Sequence, residues 1–154
     1  MNTIAVVDDD IHWCYVIERF FRNELEVYTF PTVSAFLKQL FDYDLVIVDY
    51  SIPPVNYEEN IESCELIHHL KNNLRYPPLV VLISGYVSKN DSELGRQICP
   101  EADAFLTKDA GLDELLQQIK QLIASHKKAN SYSHSLENVI EYKEKGVLDR
   151  EYYR

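Results

Sequence analysis

Apolar residues in this chain fall into two alternating patterns: short unbroken runs, and longer stretches in which they recur every three or four positions. Ile4 to Val7 is a run of the first kind, a buried strand, and Trp13, Val16, Ile17, Phe20 and Phe21 then recur as on one face of a helix. Leu25 to Phe30 reads as a second strand. Pro31 ends it, Thr32 can cap a second helix, and Val33, Phe36, Leu37, Leu40 and Phe41 carry helical spacing. Leu45 to Val48 is apolar and mostly β-branched, as expected of a strand covered on both faces, and it stops at Asp49. From Tyr50 to Asn60, Pro53 and Pro54 and then polar residues predict a loop longer than such a connection usually needs. A helix with Leu66, Ile67, Leu70 and Leu74 comes next, and then Pro77 and Pro78 introduce the run Leu79 to Ile83, which ends at Ser84 and Gly85. Ser88 can cap a weaker helix through Leu94 and Ile98, and Ala104 to Leu106 gives a short strand ending near Thr107 and Lys108. Leu112, Leu115, Leu116, Ile119, Leu122 and Ile123 mark the last strong helix.

Five strand–helix units in this order predict an α/β fold, a five-stranded, mainly parallel sheet with helices on both faces, because successive parallel strands need a right-handed crossover. With 154 residues and 46% apolar content, the chain has material for one core, over residues 1–126, and a short appendage over 127–154. Periodicity fades from Ser125 to Ser135, which reads as a polar linker. Leu136, Val139, Ile140 and Lys143 then suggest a turn or two of amphipathic helix, stopped by Gly146, before Val147, Leu148, Tyr152 and Tyr153. Such a tail is too short for an ordinary output domain. Its apolar and tyrosine content exceeds that of a typical disordered end, so docking on its own domain or pairing with a partner chain is expected, and homodimerisation stays open.

Charge and cysteine usage narrow the function classes. The net charge is −10, and residues 1–126 alone carry −11, so the acidity belongs to the main domain and disfavours direct contact with a nucleic-acid backbone. No stretch has the length and apolarity of a membrane span or of a secretory signal, which leads to the expectation of a cytoplasmic protein with no membrane contact. Cys14, Cys64 and Cys99 are odd in number and show no CxxC spacing, so they read as reduced, small apolar residues.

The polar residues that end the strands carry the candidate chemistry. In an open parallel sheet, ligands bind outside the carboxyl ends of the strands near a switch in strand order. That rule gathers Asp8 and Asp9 after the first strand, Asp49 after the third, Ser84 after the fourth and Lys108 after the fifth. Clustered carboxylates are unfavourable unless a cation neutralises them or one takes up a proton, so the acidic run from Asp8 to Asp10 at the end of the first strand suggests Mg²⁺. Asp10 reads separately, as the cap of the helix that starts near Ile11. A carboxylate nucleophile, a divalent cation, a hydroxyl donor and a fixed positive charge are the groups that phosphoryl transfer to a carboxylate requires.

Val6-Val7-Asp8-Asp9, Val46-Ile47-Val48-Asp49, Ile83-Ser84-Gly85 and Phe105-Leu106-Thr107-Lys108, each at its strand end, resemble the receiver domain of two-component response regulators over about residues 3–126. The resemblance implies a flavodoxin-like doubly wound fold. It implies Asp49 as phosphoacceptor from a histidine kinase, a phosphotransfer protein or a small phosphodonor. Mg²⁺ would be held by Asp8, Asp9, Asp49 and the backbone carbonyl of Ser51, with Asp9 the more direct ligand and Asp8 acting through water. Ser84 would hydrogen-bond a phosphoryl oxygen, Lys108 would pair with Asp49 and then with the phosphoryl group, and Phe105 matches the aromatic that turns inward in active receivers.

Departures from the family pattern are also legible. Ser63 stands where receivers have Gly before the third helix, after a connection several residues longer than usual, and Tyr50, Tyr57, Glu58 and Glu59 in it could shade the pocket or present a partner surface. Tyr86, two residues after Ser84, would crowd attacking water and implies slow autodephosphorylation. Asp109 replaces the Pro that often comes after the lysine, as in receivers joined to helix-turn-helix output domains. The expected function is a stand-alone phosphorelay response regulator, not an enzyme, that signals to a downstream protein through its fourth helix, fifth strand and last helix. Three alternatives accompany it: a pseudo-receiver that binds partners without phosphorylation, the receiver part of a transcription factor separated from its DNA-binding domain, and a Mg²⁺-dependent phosphohydrolase. The last is disfavoured because Ser51 stands where a hydrolase needs a second Asp.

Overall fold

A computed structural model of the chain describes residues 1–50, 63–85 and 96–129. Five strands, β1 (Asn2–Val7), β2 (Leu25–Phe30), β3 (Leu45–Asp49), β4 (Leu79–Ser84) and β5 (Ala104–Thr107), form one parallel sheet in the order β2-β1-β3-β4-β5. The helices are α1 (Ile11–Phe21), α2 (Val33–Leu37), α3 (Ser63–Asn73) and α4 (Leu112–Ala129), with a helical turn at 96–98 and a 3₁₀ turn, Lys108–Ala110, directly after β5. The strand–helix alternation predicted the parallel sheet with helices on both faces, and the flavodoxin-like strand order is the one the receiver resemblance implied.

Successive residues of each strand point to opposite faces, so a continuous apolar run feeds two cores. Ala5, Val7, Val46, Val48, Val80 and Leu82 pack with Phe36, Leu66, Ile67 and Leu70 of α2 and α3. Ile4, Val6, Leu45, Ile47, Val81 and Ile83 pack with Ile17, Phe21, Leu115, Ile119 and Ile123 of α1 and α4. The register pairs Val7 with Val48 and Asp49 with Ile83, which brings the ends of β1, β3 and β4 nearly level. Strand order reverses between β1 and β3. The two strands that carry Asp8, Asp9 and Asp49 at their ends are therefore the ones flanking the switch point.

Local chemistry sets the helix ends. Asp10 Oδ1 accepts the Trp13 N–H at 3.0 Å and caps α1; Thr32 Oγ1 accepts the Ala35 N–H at 3.0 Å and caps α2. Two expectations change. Helical spacing placed Phe41 on the apolar face of α2, but that helix ends at Leu37 and Phe41 is 56% exposed. The chain turns after Lys38, and Tyr43 fills the core position instead, its hydroxyl donating to the Gln39 carbonyl at 2.8 Å and its ring beside Phe36 and Phe30. The linker expected from Ser125 is helical through Ala129, because Ala124 and Lys127 favour helix and a cation suits its carboxyl end. Lys127 Nζ lies 3.6 Å from Asp44, joining this last turn to the start of β3. The tail from residue 130 onward, most of the weak fourth helix and the loop after Tyr50 lie outside the described residues. No helix among the described residues is long and apolar enough to cross a membrane.

Candidate functional site

Asp8 is the first residue past β1, and its N–H still continues the sheet ladder by donating to the Phe30 carbonyl at 3.0 Å. That tether leaves it fully buried. Its Oδ1 accepts the Asp10 N–H at 2.9 Å, and the Cys14 thiol donates to its carbonyl at 3.4 Å. Asp9 is exposed, whereas Asp49, the last residue of β3, is buried. One carboxylate oxygen from each of Asp8, Asp9 and Asp49 lies within 4.8 Å of the others. Residues up to forty-one positions apart in sequence thus converge because the sheet places the ends of β1 and β3 side by side.

Lys108 enters from β5. Its Nζ lies 2.7 Å from Asp8 Oδ2 and 3.6 Å from Asp49 Oδ1, so the ammonium reaches both buried carboxylates and sits nearer Asp8 than the expected Asp49. Burial acts to lower the Lys108 pKa, but the contact with Asp8 and the charges of Asp8 and Asp49 outweigh it and hold the ammonium protonated above the usual lysine range. Burial pushes the Asp8 carboxyl up from its ordinary value, and the Lys108 contact and the Asp10 N–H oppose the rise without cancelling it.

This donor set fits a small divalent cation. It offers three hard carboxylate oxygens around one point, and one cation nearby does not balance three anions. Asp8 Oδ2 is buried and, among the described residues, receives no hydrogen bond of good geometry despite the nearby ammonium. Buried carboxylate oxygens are ordinarily satisfied, so this one retains capacity for a ligand. Ser51, expected to add a backbone carbonyl, and Tyr86, expected to crowd attacking water, lie outside the described residues.

Ser84 closes β4, is buried, and pairs in register with Thr107 of β5, one step beyond the level of Asp49. Phe105 is partly buried against the core under α2 and α3. The Thr107 hydroxyl donates to Asp109 at 2.6 Å, so the residue that replaces the common Pro tethers the turn carrying Lys108. The peptide bonds of the described residues are all trans.

Two contributors escaped the sequence pattern. Trp13 reads as one more apolar residue on α1, yet its ring centre lies 4.5 Å from Lys108 Nζ. The only hint was its place in the first turn of the helix that leaves the acidic strand end. Ser63 reads as a departure from Gly; its hydroxyl donates to the carbonyls of Asp49 and Tyr50, the latter at 3.0 Å. The start of α3 is thereby tied to the end of β3.

No family model matches the chain, and no curated protein matches it. Solved structures do. The receiver domain of the Francisella response regulator 1452 is 22% identical over 82% of this chain and all of its own, with a TM-score of 0.63. The beryllofluoride-activated receiver domain of DrrB, from Thermotoga maritima, is 24% identical over 80% of this chain and 98% of its own, with a TM-score of 0.65. A CheY-like receiver domain protein from Methanospirillum hungatei is 23% identical over 84% of this chain and 99% of its own, with a TM-score of 0.60. The chain has the fold of response-regulator receiver domains.

Proposed function

We propose that this protein is a response-regulator receiver whose Asp49 accepts a phosphoryl group from the phosphohistidine of a kinase or phosphotransfer protein, or from a small phosphodonor, in a Mg²⁺-dependent reaction. One observation carries the reading: Asp8, Asp9 and Asp49 converge within 4.8 Å at the switch point of a receiver fold, with the Lys108 ammonium beside two of them. The activated state of the DrrB domain, which shares this fold, supports the assignment of the same chemistry here.

In this reading Asp8, Asp9, Asp49 and the Ser51 carbonyl would hold Mg²⁺, which would supply positive charge to the phosphoryl oxygens. An Asp49 carboxylate oxygen forms the new O–P bond as the donor's N–P bond breaks, and that electron pair leaves on the donor's imidazole nitrogen. Lys108 neutralises a second side of the phosphoryl group, and Ser84, a buried hydroxyl on the neighbouring strand, donates to one of its oxygens. The protein then acts as a switch in the cytoplasm rather than a turnover catalyst. Its affinity for a downstream protein changes only as far as the phosphoryl group favours one conformation over another.

Incubation with Mg²⁺ and acetyl phosphate, read by intact mass, tests this directly. A single phosphoryl adduct in wild type and none in Asp49→Ala is the expected result. Absence of an adduct in wild type, together with no spectral response to beryllofluoride, would sink the phosphoacceptor role and leave a binding module that keeps the fold.

A further inference from the structure

The Lys108 ammonium stands between one aromatic face and two carboxylates, 4.5 Å from the centre of the Trp13 ring, 2.7 Å from Asp8 Oδ2 and 3.6 Å from Asp49 Oδ1. A lysine side chain is flexible and strongly hydrated, so its ammonium keeps one position only where several groups hold it there. An indole face is the strongest aromatic partner for a cation. Trp13 is itself firmly placed. Asp10 accepts its N–H at 3.0 Å in the first turn of α1, and its side chain packs against the core under α1 and α4.

We infer that Trp13 is a positioning residue that holds Lys108 on Asp8, so that the protein's own ammonium competes with a divalent cation for that carboxylate and sets the pocket's affinity for it. The identity of the cation rests on the function proposed above; the contact itself does not. Asp8 cannot give Oδ2 fully to Lys108 and to an incoming cation at once. Whatever stabilises the Lys108 position therefore weakens cation binding by the same factor, since the two equilibria are linked.

Mg²⁺ binding to the full chain, measured by calorimetry without any phosphodonor, reads this competition. Trp13→Leu keeps apolar bulk but removes the π face, and Mg²⁺ affinity should rise about three- to fivefold, the worth of a partly buried cation–π contact. Trp13→Phe should stay within about twofold of wild type, because it retains an aromatic face. In a Lys108→Ala background, where affinity is already raised, Trp13→Leu should have no further effect. The chain has one tryptophan, so biosynthetic replacement by fluorinated tryptophans weakens the ring's negative face at that single site with little change of shape. Affinity should then climb with the degree of fluorination.

An unchanged affinity in Trp13→Leu and in the fluorinated proteins would overturn the inference, as would an equal change with and without Lys108, which is the signature of a packing defect. Failure of the phosphoacceptor role reads differently: no mass adduct appears on Asp49, while the dependence of Mg²⁺ affinity on Trp13 and Lys108 persists. A wild-type chain that binds no Mg²⁺ would overturn both.

Discussion

Ser63 donates its hydroxyl hydrogen to the main-chain carbonyl of Asp49, and the two residues are buried together although the long β3–α3 connection separates them. The same hydroxyl lies 3.0 Å from the Tyr50 carbonyl. A glycine at this position could start α3 but could not bind either carbonyl. Ser63 thus closes the base of the connection and fixes the backbone that presents the Asp49 carboxylate.

Loss of that hydroxyl leaves a buried carbonyl short of a donor, at a cost of about 1–2 kcal/mol. Ser63→Ala should lower the stability measured by urea denaturation by that amount while the fold stays intact. Asp49 phosphorylation by acetyl phosphate should slow as well, because its carboxylate is held less firmly. A Ser63→Ala protein as stable as wild type would show that the two carbonyls are satisfied without it.

Asp8, Asp9 and Asp10 are adjacent in sequence and different in structure. Asp8 and Asp9 each bring an oxygen to the carboxylate cluster, whereas Asp10 turns its carboxylate to the Trp13 N–H. Asp8→Ala and Asp9→Ala should each weaken Mg²⁺ binding by about tenfold or more, since each removes a charged ligand. Asp10→Ala should alter that affinity by no more than about twofold, its exposed charge being screened, yet cost about 1 kcal/mol of stability through loss of the cap. Calorimetry and thermal denaturation on the three variants separate the roles. A large metal defect in Asp10→Ala would contradict the division.

The cysteines test the compactness of the two cores. Burial is the main cause that pushes the Cys14 thiol up to about 12, with the Asp8 charge adding to it, and Cys99 is also buried. A thiol with that pKa is thiolate in only about one molecule in ten thousand at pH 8, so Cys14 should resist alkylation in the native state. Cys64, which is only partly buried, should react first with iodoacetamide. Peptide mapping after a short native-state exposure checks the order, and early labelling of Cys14 would mean that α1 opens readily.

The fold was legible because its signals are repetitive. Runs such as Leu45 to Val48 and Leu79 to Ile83 are apolar on both faces, as a parallel strand covered on both sides requires. Asp8, Asp9, Asp49, Ser84 and Lys108 were legible for a related reason: each ends a strand, and the strand order converts five scattered positions into one edge. The features that the sequence concealed depend on direction rather than position. Nothing in the helical spacing of Trp13 says that its ring turns to Lys108 and not wholly into the core, and nothing in the spacing of Phe41 says that α2 stops short of it. Lys108 was expected on Asp49, but a carboxylate at the end of β1 competes for the same ammonium at closer range. Such competition between neighbours is settled by distances that no linear pattern carries.

Acid should weaken the fold through His69. His69 lies on α3 beside the buried Leu70, and burial is the main cause that lowers its pKa from 6.5; Glu65 acts in the opposite direction, and His68 adds to the lowering. A histidine whose folded-state pKa is depressed binds fewer protons in the native than in the unfolded chain between the two values. Stability therefore rises with pH across that window and levels off above 6.5, and it is lost as pH falls from 6.5 through the folded value. The Glu101 carboxyl, lowered by hydrogen bonds from His68 and Asn72, acts in the same direction only below its ordinary value of 4.5. Urea denaturation at intervals from pH 7.5 to about 5 should show a decline in wild type that His69→Gln, which cannot take up a proton, removes over the upper part of the range. A wild-type decline that survives unchanged in His69→Gln would assign the acid sensitivity to another group.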